Sequence, residues 1–339
     1  MKIARQGLWL LLLWALAACS QPPLVQQQSY VFGTLVEVSV YGAPEPQARQ
    51  AIAAVLTRFD ELHHQLHAWQ PSELSRLNAA LAKGERMRVT PVLAAMLRDA
   101  QADSAASNDL FDPAIGKLIA LWGFQADTPS GKVPDAVDVA RLVKAAPRMR
   151  DLHIEHDTVW SDNPAVQLDL GGYAKGYALD EAVRILKAHG IANALVNIGG
   201  NVIALGRHGD RPWRVGIQHP RKPGTLATLD LHDGEAIGTS GDYQRFFELN
   251  GKRYCHIIDP RTGWPAQGVQ AVTVLLAPGP HAGTLSDVAS KPIFIAGVSG
   301  WRQAAQQMGV SQAMLIDDHG KVHLTPAMQK RLNFEVIKD

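Results

Sequence analysis

Residues able to do chemistry gather around one predicted β-hairpin. The dipeptide Asn250-Gly251 separates two strand-like runs within residues 243–258, and it is the pair that most favours a two-residue type I′ turn. Ser240 and Asp242 enter the first strand, and His256 lies near the end of the second. We therefore predict that a hydroxyl, a carboxylate and an imidazole converge on one ligand.

His256 is the candidate catalytic residue of this cluster. The pKa of an unperturbed imidazole is about 6.5, so the side chain can accept a proton near neutral pH and activate a substrate hydroxyl. Asp259 follows closely in the sequence and is a candidate to orient the imidazole. The alternative is a histidine that only forms a hydrogen bond to a turn.

A second cluster has the composition of a phosphate site. Its members are Asp169, Gly171, Gly172, Lys175 and Gly176. The sequence predicts a strand that ends at Leu170 and a helix over Ala174–Ala188. Glycines allow the backbone to approach a ligand, the helix N-terminus presents free N–H groups, and a lysine in the first turn can reach a phosphate. We interpret the cluster as a pyrophosphate seat; the alternative is a glycine-rich corner with a solvated lysine, since neither GxGxxG nor a P-loop is matched.

The order of the predicted elements indicates an α+β fold. Helices are expected over residues 45–69, from Pro91 onward, and from about residue 284 to residue 308, whereas residues 194–276 have the pattern of short strands and turns. Strands in one block and helices in others argue against an alternating parallel fold. We predict a single domain with antiparallel or mixed sheets and packed helices.

Eight segments resemble, in the same order, the ApbE family of flavin transferases. They are FGT (Phe32–Thr34), SELSRLN (Ser72–Asn78), FDPAIGKLIALWGF (Phe111–Phe124), LDLGGYAKGYALD (Leu168–Asp180), NIGGN (Asn197–Asn201), WRVGIQHP (Trp213–Pro220), TSGDY (Thr239–Tyr243) and HIIDPRTG (His256–Gly263). The resemblance runs from about Tyr30 to Gly297. It implies an ApbE-like domain that moves FMN from FAD to a threonine or serine of a target protein and releases AMP.

The resemblance also implies which residues contact FAD, the expected substrate. They are Phe32, Trp69, Leu110, Phe111, Asp112, Asp169, Lys175, Ser240 and Asp242. Phe32 and Trp69 offer the apolar or aromatic faces that stack on a planar flavin ring. Ordinary core packing is the alternative for both.

A magnesium site is the part of the resemblance from which this chain departs. Residues 286–297 resemble the family segment in which an Asp and, four residues later, a Thr or Ser bind Mg²⁺; Asp287 and the backbone carbonyl of Gly172 are the implied ligands. The fourth position is Lys291, and an ammonium group cannot ligate a metal. Either Asp287 and backbone oxygens bind a metal more weakly, or Lys291 places its own charge where the ion would lie. Pro292 further suggests that the helix is altered there.

The N-terminus has the pattern of a bacterial lipoprotein signal. Lys2 and Arg5 precede an apolar run, Leu8–Ala18, and residues 16–19 resemble a lipobox that ends in Cys19. We predict a signal peptide over residues 1–18, a tether over 19–29 lipidated at Cys19, and the flavin transferase domain over 30–339. The lipid would hold the protein on a membrane facing the periplasm, and Ser20 favours the outer membrane. A plain transmembrane anchor is the alternative.

The charge and the amino-acid composition of the chain limit the classes of molecule that it can bind. The formal net charge is +1, and no basic block with interleaved aromatic residues occurs, which argues against nucleic-acid binding. The resemblance implies an acceptor flavoprotein, in the family typically a subunit of a membrane redox complex. Two rival functions stay open: an FAD pyrophosphatase that gives FMN and AMP, and a flavin-binding lipoprotein without catalysis.

Two further groups are expected to be structural. Lipidation of Cys19 would leave Cys255 as the one remaining cysteine, so no intramolecular disulfide is expected, and an inert buried thiol is favoured over a nucleophile. His63 and His67 have the i, i+4 spacing of zinc ligands, but no HExxH motif accompanies them and solvated side chains are the simpler interpretation.

Overall fold

An eight-stranded antiparallel sheet forms the centre of the fold. The structure is a computed structural model that describes residues 23–126 and 128–334. The strands of the central sheet, numbered in chain order and given in spatial order, are β1 (Leu24–Val31), β2 (Thr34–Tyr41), β6 (Ala194–Ile198), β7 (Asn201–Leu205), β10 (Ala236–Gly241), β13 (Val269–Leu276), β14 (Gln312–Asp317) and β15 (Val322–Leu324). Every neighbouring pair in this sheet is antiparallel.

Eight helices occur in the described residues. They are α1 (Glu45–Leu66), α2 (Glu73–Ala82), α3 (Pro91–Ala106), α4 (Gly116–Leu121), α5 (Ala136–Ala145), α6 (Ala174–Ala188), α7 (Ala282–Gln307) and α8 (Pro326–Gln329). The described part of the chain contains no helix with the length and apolar character needed to cross a membrane.

Three small sheets complete the fold. Their strands are β3 (Met87–Arg88), β5 (Thr158–Ser161) and β4 (Leu152–Glu155); β16 (Asn333–Phe334), β9 (Thr225–Leu231) and β8 (Trp213–Gln218); and the hairpin of β11 (Phe246–Leu249) and β12 (Lys252–Cys255). The mixture of helices with antiparallel sheets confirms the predicted α+β class.

The central sheet is covered on both faces, which explains why β13 is buried along almost its whole length. Val272 and Val274 face the main core, which α1, α6 and α7 close. Ala271 and Leu275 face a second core formed with β8 and β9. Alternate residues of a strand point to opposite faces, so a strand buried on both sides loses the alternation of apolar and polar residues.

Local sequence signals gave several elements correctly. Helix α6 has the predicted bounds, and the Thr90 side chain caps α3 by accepting a hydrogen bond from the Leu93 N–H. The predicted turn has positive φ at Asn250 (52°) and Gly251 (73°). These signals depend on neighbouring residues only, so they do not require knowledge of the tertiary structure.

Four expectations about secondary structure were wrong. The hairpin strands are shorter than predicted, and Ser240 lies in β10 of the central sheet instead of entering the hairpin. No strand ends at Leu170; the segment forms only an isolated parallel bridge, between Gln167 and Ile115. Helix α7 continues through Pro292 and is interrupted at Gly297, where φ is 66°.

The predicted tether is partly a strand of the fold. Residues 24–29 belong to β1, which pairs with β2 from Leu24–Tyr41 to Val31–Thr34. Val25 is buried, whereas the glutamines of this edge strand are mostly exposed, which gives the segment the polar composition of a tether. The domain therefore begins before residue 30, while the predicted signal peptide over 1–18 and Cys19 lie outside the described residues.

Helices α6 and α7 approach each other closely at two glycines. A Cβ on Gly176 would lie 2.5 Å from the Gly283 carbonyl oxygen and 2.7 Å from Asp287 Cβ. A Cβ on Gly283 would lie 2.7 Å from the Gly176 carbonyl oxygen. The contact is reinforced by Asp180 of α6, whose carboxylate accepts hydrogen bonds at 2.8 Å from the N–H groups of Gly283 and Thr284 at the start of α7.

We expect the substitution Gly176→Ala to lower the free energy of unfolding by about 1–3 kcal/mol, because the added methyl group meets backbone that cannot move without separating the helices. Denaturant unfolding of the purified protein measures the change. The control is Gly279→Ala, where an added Cβ meets nothing within 4 Å. Equal stabilities of the two variants would contradict the close contact.

Candidate active site

The backbone before Asp169 is held by a side chain from a distant helix. Asn78 of α2 is buried; its amide N–H donates to the Leu168 carbonyl at 2.9 Å, and its amide oxygen accepts the Leu168 N–H at 2.7 Å. The N–H of Asp169 donates to the Pro113 carbonyl at 2.8 Å. These bonds replace the pairing of a regular strand, which explains how the segment is fixed without being one.

Asp169 and Trp69, both predicted to contact FAD, are adjacent. The indole N–H of Trp69 donates to one carboxylate oxygen of Asp169 at 3.3 Å, and the Gly171 N–H donates to the other at 2.7 Å. The carboxylate is therefore oriented from two sides at the entrance to α6. Both side chains are half-buried, so they keep surface for a ligand.

Phe111 and Asp112 precede the turn at Pro113, and both are buried. One oxygen of Asp112 accepts hydrogen bonds from the N–H groups of Ala114 (2.9 Å) and Met149 (3.2 Å), and its other oxygen has no hydrogen-bond partner in the described residues. Burial raises the pKa of Asp112 to about 7 in spite of these bonds. The side chain supports the turn, and Leu110, also buried, packs in the main core.

Asp287 and Lys291 form a buried ion pair one turn apart on α7. The ammonium Nζ lies 2.7 Å from carboxylate Oδ1 and 2.7 Å from the Asp287 carbonyl oxygen. Carboxylate Oδ2 accepts the Gly176 N–H from the first turn of α6 at 3.0 Å. Burial would raise the pKa of Asp287, but the charges of Lys291 and Lys175 hold it below its usual value.

The stem of Lys291 crosses Gly172. A Cβ on Gly172 would lie 2.7 Å from Lys291 Cε and 3.6 Å from the ring of Phe111. The predicted metal ligands Gly172 and Asp287 are thus close together, and the lysine side chain lies between them. These residues are unsuitable for Mg²⁺, because the Lys291 ammonium already binds the carboxylate oxygen that the ion would use.

Lys175 faces the same site. Burial lowers the pKa of Lys291 and of His256, and the charge of Lys175 lowers both further. The same charge helps Lys291 to hold the pKa of Asp287 down. No hydrogen bond holds its ammonium group within the described ranges. Lys175, Lys291 and Asp287 together carry one net positive charge, which suits a pyrophosphate.

His256 is oriented by a backbone carbonyl. Its Nδ1 lies 3.2 Å from the Arg245 carbonyl oxygen, which can only accept, so Nδ1 carries the hydrogen and Nε2 keeps a lone pair. Burial, together with the positive charges of Arg245 and Lys175, lowers the pKa of His256 to about 3. The predicted role of Asp259 was wrong: its carboxylate is bound by Arg261 at 2.7 Å and holds the turn.

The remaining predicted FAD contacts have partners within the protein. The Ser240 hydroxyl is buried and lies 2.7 Å from the Ser290 hydroxyl of α7, which ties β10 to that helix. Asp242 makes a bidentate ion pair with Arg221, at 2.7 and 2.6 Å. A ligand of Asp242 would therefore meet a neutralised carboxylate beside a guanidinium.

Phe32 lies at the tip of the β1–β2 hairpin with φ of 56°, a conformation rare for a residue with a side chain. Its half-buried ring contacts Phe59 and His63, with centroids 6.1 and 5.8 Å apart. The ring thus packs on α1 and keeps part of its surface open. Both interpretations of Phe32, core packing and flavin contact, are compatible with this position.

Cys255 has the position expected of an inert thiol. Cys255 is buried, and burial raises the pKa of its thiol to about 12, which leaves too little thiolate for a nucleophile. The rings of His63 and His67 lie 5.4 Å apart on α1. No group of three or more His, Cys, Asp or Glu side chains able to hold a metal occurs within residues 23–126 and 128–334.

Sequence reasoning missed three residues that shape the site. Arg245 orients His256, Arg221 neutralises Asp242, and Asn78 fixes the backbone before Asp169. Asn78 lies in the segment SELSRLN, which carried part of the family resemblance, so a signal for it existed. The two arginines lie outside the segments that resemble the family, so the sequence contained no signal for them.

The environment of His256 predicts a pH dependence of stability. In the unfolded chain His256 binds a proton below a pH of about 6.5, whereas in the folded protein it stays neutral down to about pH 3. Its contribution to stability is fully present above the unfolded pKa and is lost as the pH falls from about 6.5 towards 3, at no more than about 1.4 kcal/mol per pH unit.

We expect His256→Gln to reduce the loss of stability between pH 7.5 and pH 5 by up to about 2 kcal/mol. Urea unfolding at both pH values measures this difference. The control is His319→Gln, since His319 is exposed on a turn. If His256→Gln leaves the pH dependence unchanged, the imidazole is not held neutral.

Comparison with known proteins shows the family of this chain. The sequence model of the ApbE family matches residues 32–315. The chain is 47% identical over 310 residues to the FAD:protein FMN transferase of Rhodobacter capsulatus, a match that covers 91% of this chain and 58% of that protein. It is 30% identical to an FAD:protein FMN transferase of Klebsiella pneumoniae, with 84% of this chain and 82% of that protein covered.

Solved structures have the same fold. The ApbE protein of Thermotoga maritima superposes with a TM-score of 0.83 at 27% identity, over 91% of this chain and 99% of that one. The flavinyl transferase ApbE of Pseudomonas stutzeri gives a TM-score of 0.79 at 28% identity, over 92% of this chain and 98% of that one. The family match, the similar folds and the clustered site residues lead to one conclusion: this chain belongs to the ApbE family.

Proposed function

We propose that this protein is an FAD:protein FMN transferase, which moves FMN from FAD to a threonine or serine hydroxyl of an acceptor protein. The observation that carries the proposal is the contact of Lys291 and Asp287 with the first turn of α6, which also holds Lys175. The charges of both lysines act on His256. A base beside two cations suits the attack of a hydroxyl on a pyrophosphate. The names of the relatives support the same activity.

His256 is suited to take the proton of the attacking hydroxyl. Its Nε2 has a free lone pair because Nδ1 donates to the Arg245 carbonyl. The acceptor oxygen forms a bond to the FMN-side phosphorus of FAD while the bond from that phosphorus to the bridging oxygen breaks. The hydroxyl proton goes to Nε2 of His256, and AMP leaves with the bridging oxygen.

The two lysines stabilise the charge that develops on the phosphate oxygens. Lys175 lies in the first turn of α6, where the helix N-terminus adds partial positive charge. Lys291 is fixed by its bonds to Asp287 and does not have to reorganise during the reaction. Burial, together with the charges of Arg245 and the two lysines, lowers the pKa of His256, so the imidazole is neutral at pH 7 and its Nε2 carries a lone pair.

Magnesium does not fit the residues present. Asp287 already binds Lys291 and the Gly176 N–H, and the lysine stem separates Asp287 from Gly172. Side chains of this protein therefore provide the electrostatic stabilisation of the reaction.

The proposal extends to location and partner. The signal-like residues 1–18 and the lipobox at Cys19 support a lipoprotein on the periplasmic side of a membrane, with Ser20 favouring the outer membrane. The acceptor would be a flavoprotein subunit of a membrane redox complex. The names of the relatives, which include a protein as the recipient of FMN, support an acceptor in general.

The proposed activity is tested with the purified full-length protein in detergent, FAD and a threonine-bearing acceptor fragment. We expect AMP release together with an acceptor that gains the mass of FMN. Because general-base catalysis is typically worth about 10²–10⁴ in rate, His256→Ala should slow transfer by that order. His319→Ala, at an exposed position, serves as the control.

Two outcomes would overturn the transferase. Free FMN and AMP with an unmodified acceptor would indicate the pyrophosphatase. Bound, intact FAD, with no AMP from any acceptor tried, would indicate a flavin-binding protein without catalysis.

A further inference from the structure

We propose that Lys291 is a built-in cation that takes the place of a divalent metal ion beside Asp287, so that this protein transfers FMN without a metal. The inference rests on the proposed function for its catalytic consequence. Whether a lysine or a metal ion occupies the site does not depend on that function. It can be tested by metal binding, without measuring catalysis.

The position of the ammonium group is the first argument. Nζ of Lys291 bonds at 2.7 Å to carboxylate Oδ1 of Asp287 and at 2.7 Å to the carbonyl oxygen of the same residue. A carboxylate oxygen and a backbone carbonyl are the type of ligands that a hard divalent cation takes. An ammonium has three N–H donors, so one donor is left for a phosphate oxygen of the substrate.

Both oxygens of the Asp287 carboxylate are already engaged by groups of the protein. Oxygen Oδ2 accepts the Gly176 N–H at 3.0 Å from α6. A metal bound at Oδ1 would have to displace Nζ or lie next to another positive charge, with Lys175 close by. Proteins usually bind Mg²⁺ through one or two carboxylates, and here the Asp287 carboxylate is bonded to the Lys291 ammonium.

The ion pair of Lys291 and Asp287 is buried, unlike an ordinary ion pair on the surface. The side chains of Lys291 and Asp287 are 17% and 3% exposed. Removing one partner of a buried pair leaves an uncompensated charge, which makes the lysine hard to displace. The stem is accommodated by Gly172, where a Cβ would lie only 2.7 Å from Lys291 Cε. The surrounding backbone therefore leaves room for a lysine at this point.

A fixed ammonium also suits the chemistry. It provides one positive charge and a directed N–H beside the phosphate seat at α6, and Lys175 provides a second charge. Charge stabilisation by preorganised groups does not require an exchangeable ion. The activity of this protein should therefore be indifferent to chelators.

The decisive variant is Lys291→Thr, which removes the cation and supplies a hydroxyl oxygen. Metal binding is measured with Mn²⁺ as a probe for Mg²⁺, by the loss of the free-ion EPR signal in the chelator-treated full-length protein. We expect no Mn²⁺ to bind at this site in the wild type and one equivalent in Lys291→Thr. Adding Asp287→Asn to Lys291→Thr should abolish that binding and so locate it.

Flavin transfer provides the second readout. In EDTA the wild-type rate should stay unchanged, whereas Lys291→Thr should lose on the order of 10²-fold and regain activity when Mg²⁺ is added. Lys291→Met, which keeps an unbranched stem without the charge, should lose transfer and not be rescued. Lys187→Thr makes the matched substitution at an exposed lysine of α6 and should behave as the wild type.

Any of three results would overturn the proposal. One is a wild type that binds one Mn²⁺ that the substitution Asp287→Asn removes, and another is the loss of transfer by the wild type in EDTA. The third result is a folded Lys291→Thr variant that binds no Mn²⁺. Thermal unfolding of each variant shows whether it is folded; if Lys291→Thr is not, the wild-type arms and Lys291→Met decide. A wild type that transfers no FMN under any condition contradicts the proposed function instead, and the Mn²⁺ comparison still decides what occupies the site.

Discussion

The close contact of α6 with α7 is the constraint on which the rest of the site depends. Only glycine at 176 and 283 lets the two backbones approach so far, and Asp180 of α6 caps the start of α7. The approach brings the first-turn N–H of Gly176 within 3.0 Å of Asp287. The proposed phosphate seat at the start of α6 thereby lies next to the carboxylate–lysine pair on α7. Both are carried by helices and not by loops, which places them rigidly.

The buried pair of Asp287 and Lys291 is better understood as part of the chemistry than as a source of stability. The cost of removing two charges from water often equals or exceeds their mutual attraction, so such a pair contributes little to folding by itself. The pair does hold the positively charged ammonium group of Lys291 in one position. Burial is the main reason why His256 stays neutral, and the positive charges of Arg245, Lys175 and Lys291 add to it.

His256 illustrates how a base can be prepared by its surroundings without a carboxylate partner. The backbone carbonyl of Arg245 fixes the tautomer, while the guanidinium of the same residue donates to the carbonyls of Phe124 and Ala126 and lowers the pKa of the imidazole. A carboxylate in the place of that carbonyl would stabilise the protonated ring. The free Nε2 is thus available at neutral pH.

The sequence by itself determined the features that neighbouring residues encode: the bounds of α6, the type I′ turn at Asn250-Gly251, the α+β class and the membership of Asp169, Lys175, His256 and Asp287 in one set of motifs. It did not determine which atoms meet. The tertiary structure decided three contacts: Lys291 binds Asp287, Asn78 holds the backbone before Asp169 in place of a strand, and Arg245 rather than Asp259 orients His256. Each contact depends on where a side chain points or on how closely distant segments approach. Local periodicity and turn chemistry do not specify either of these.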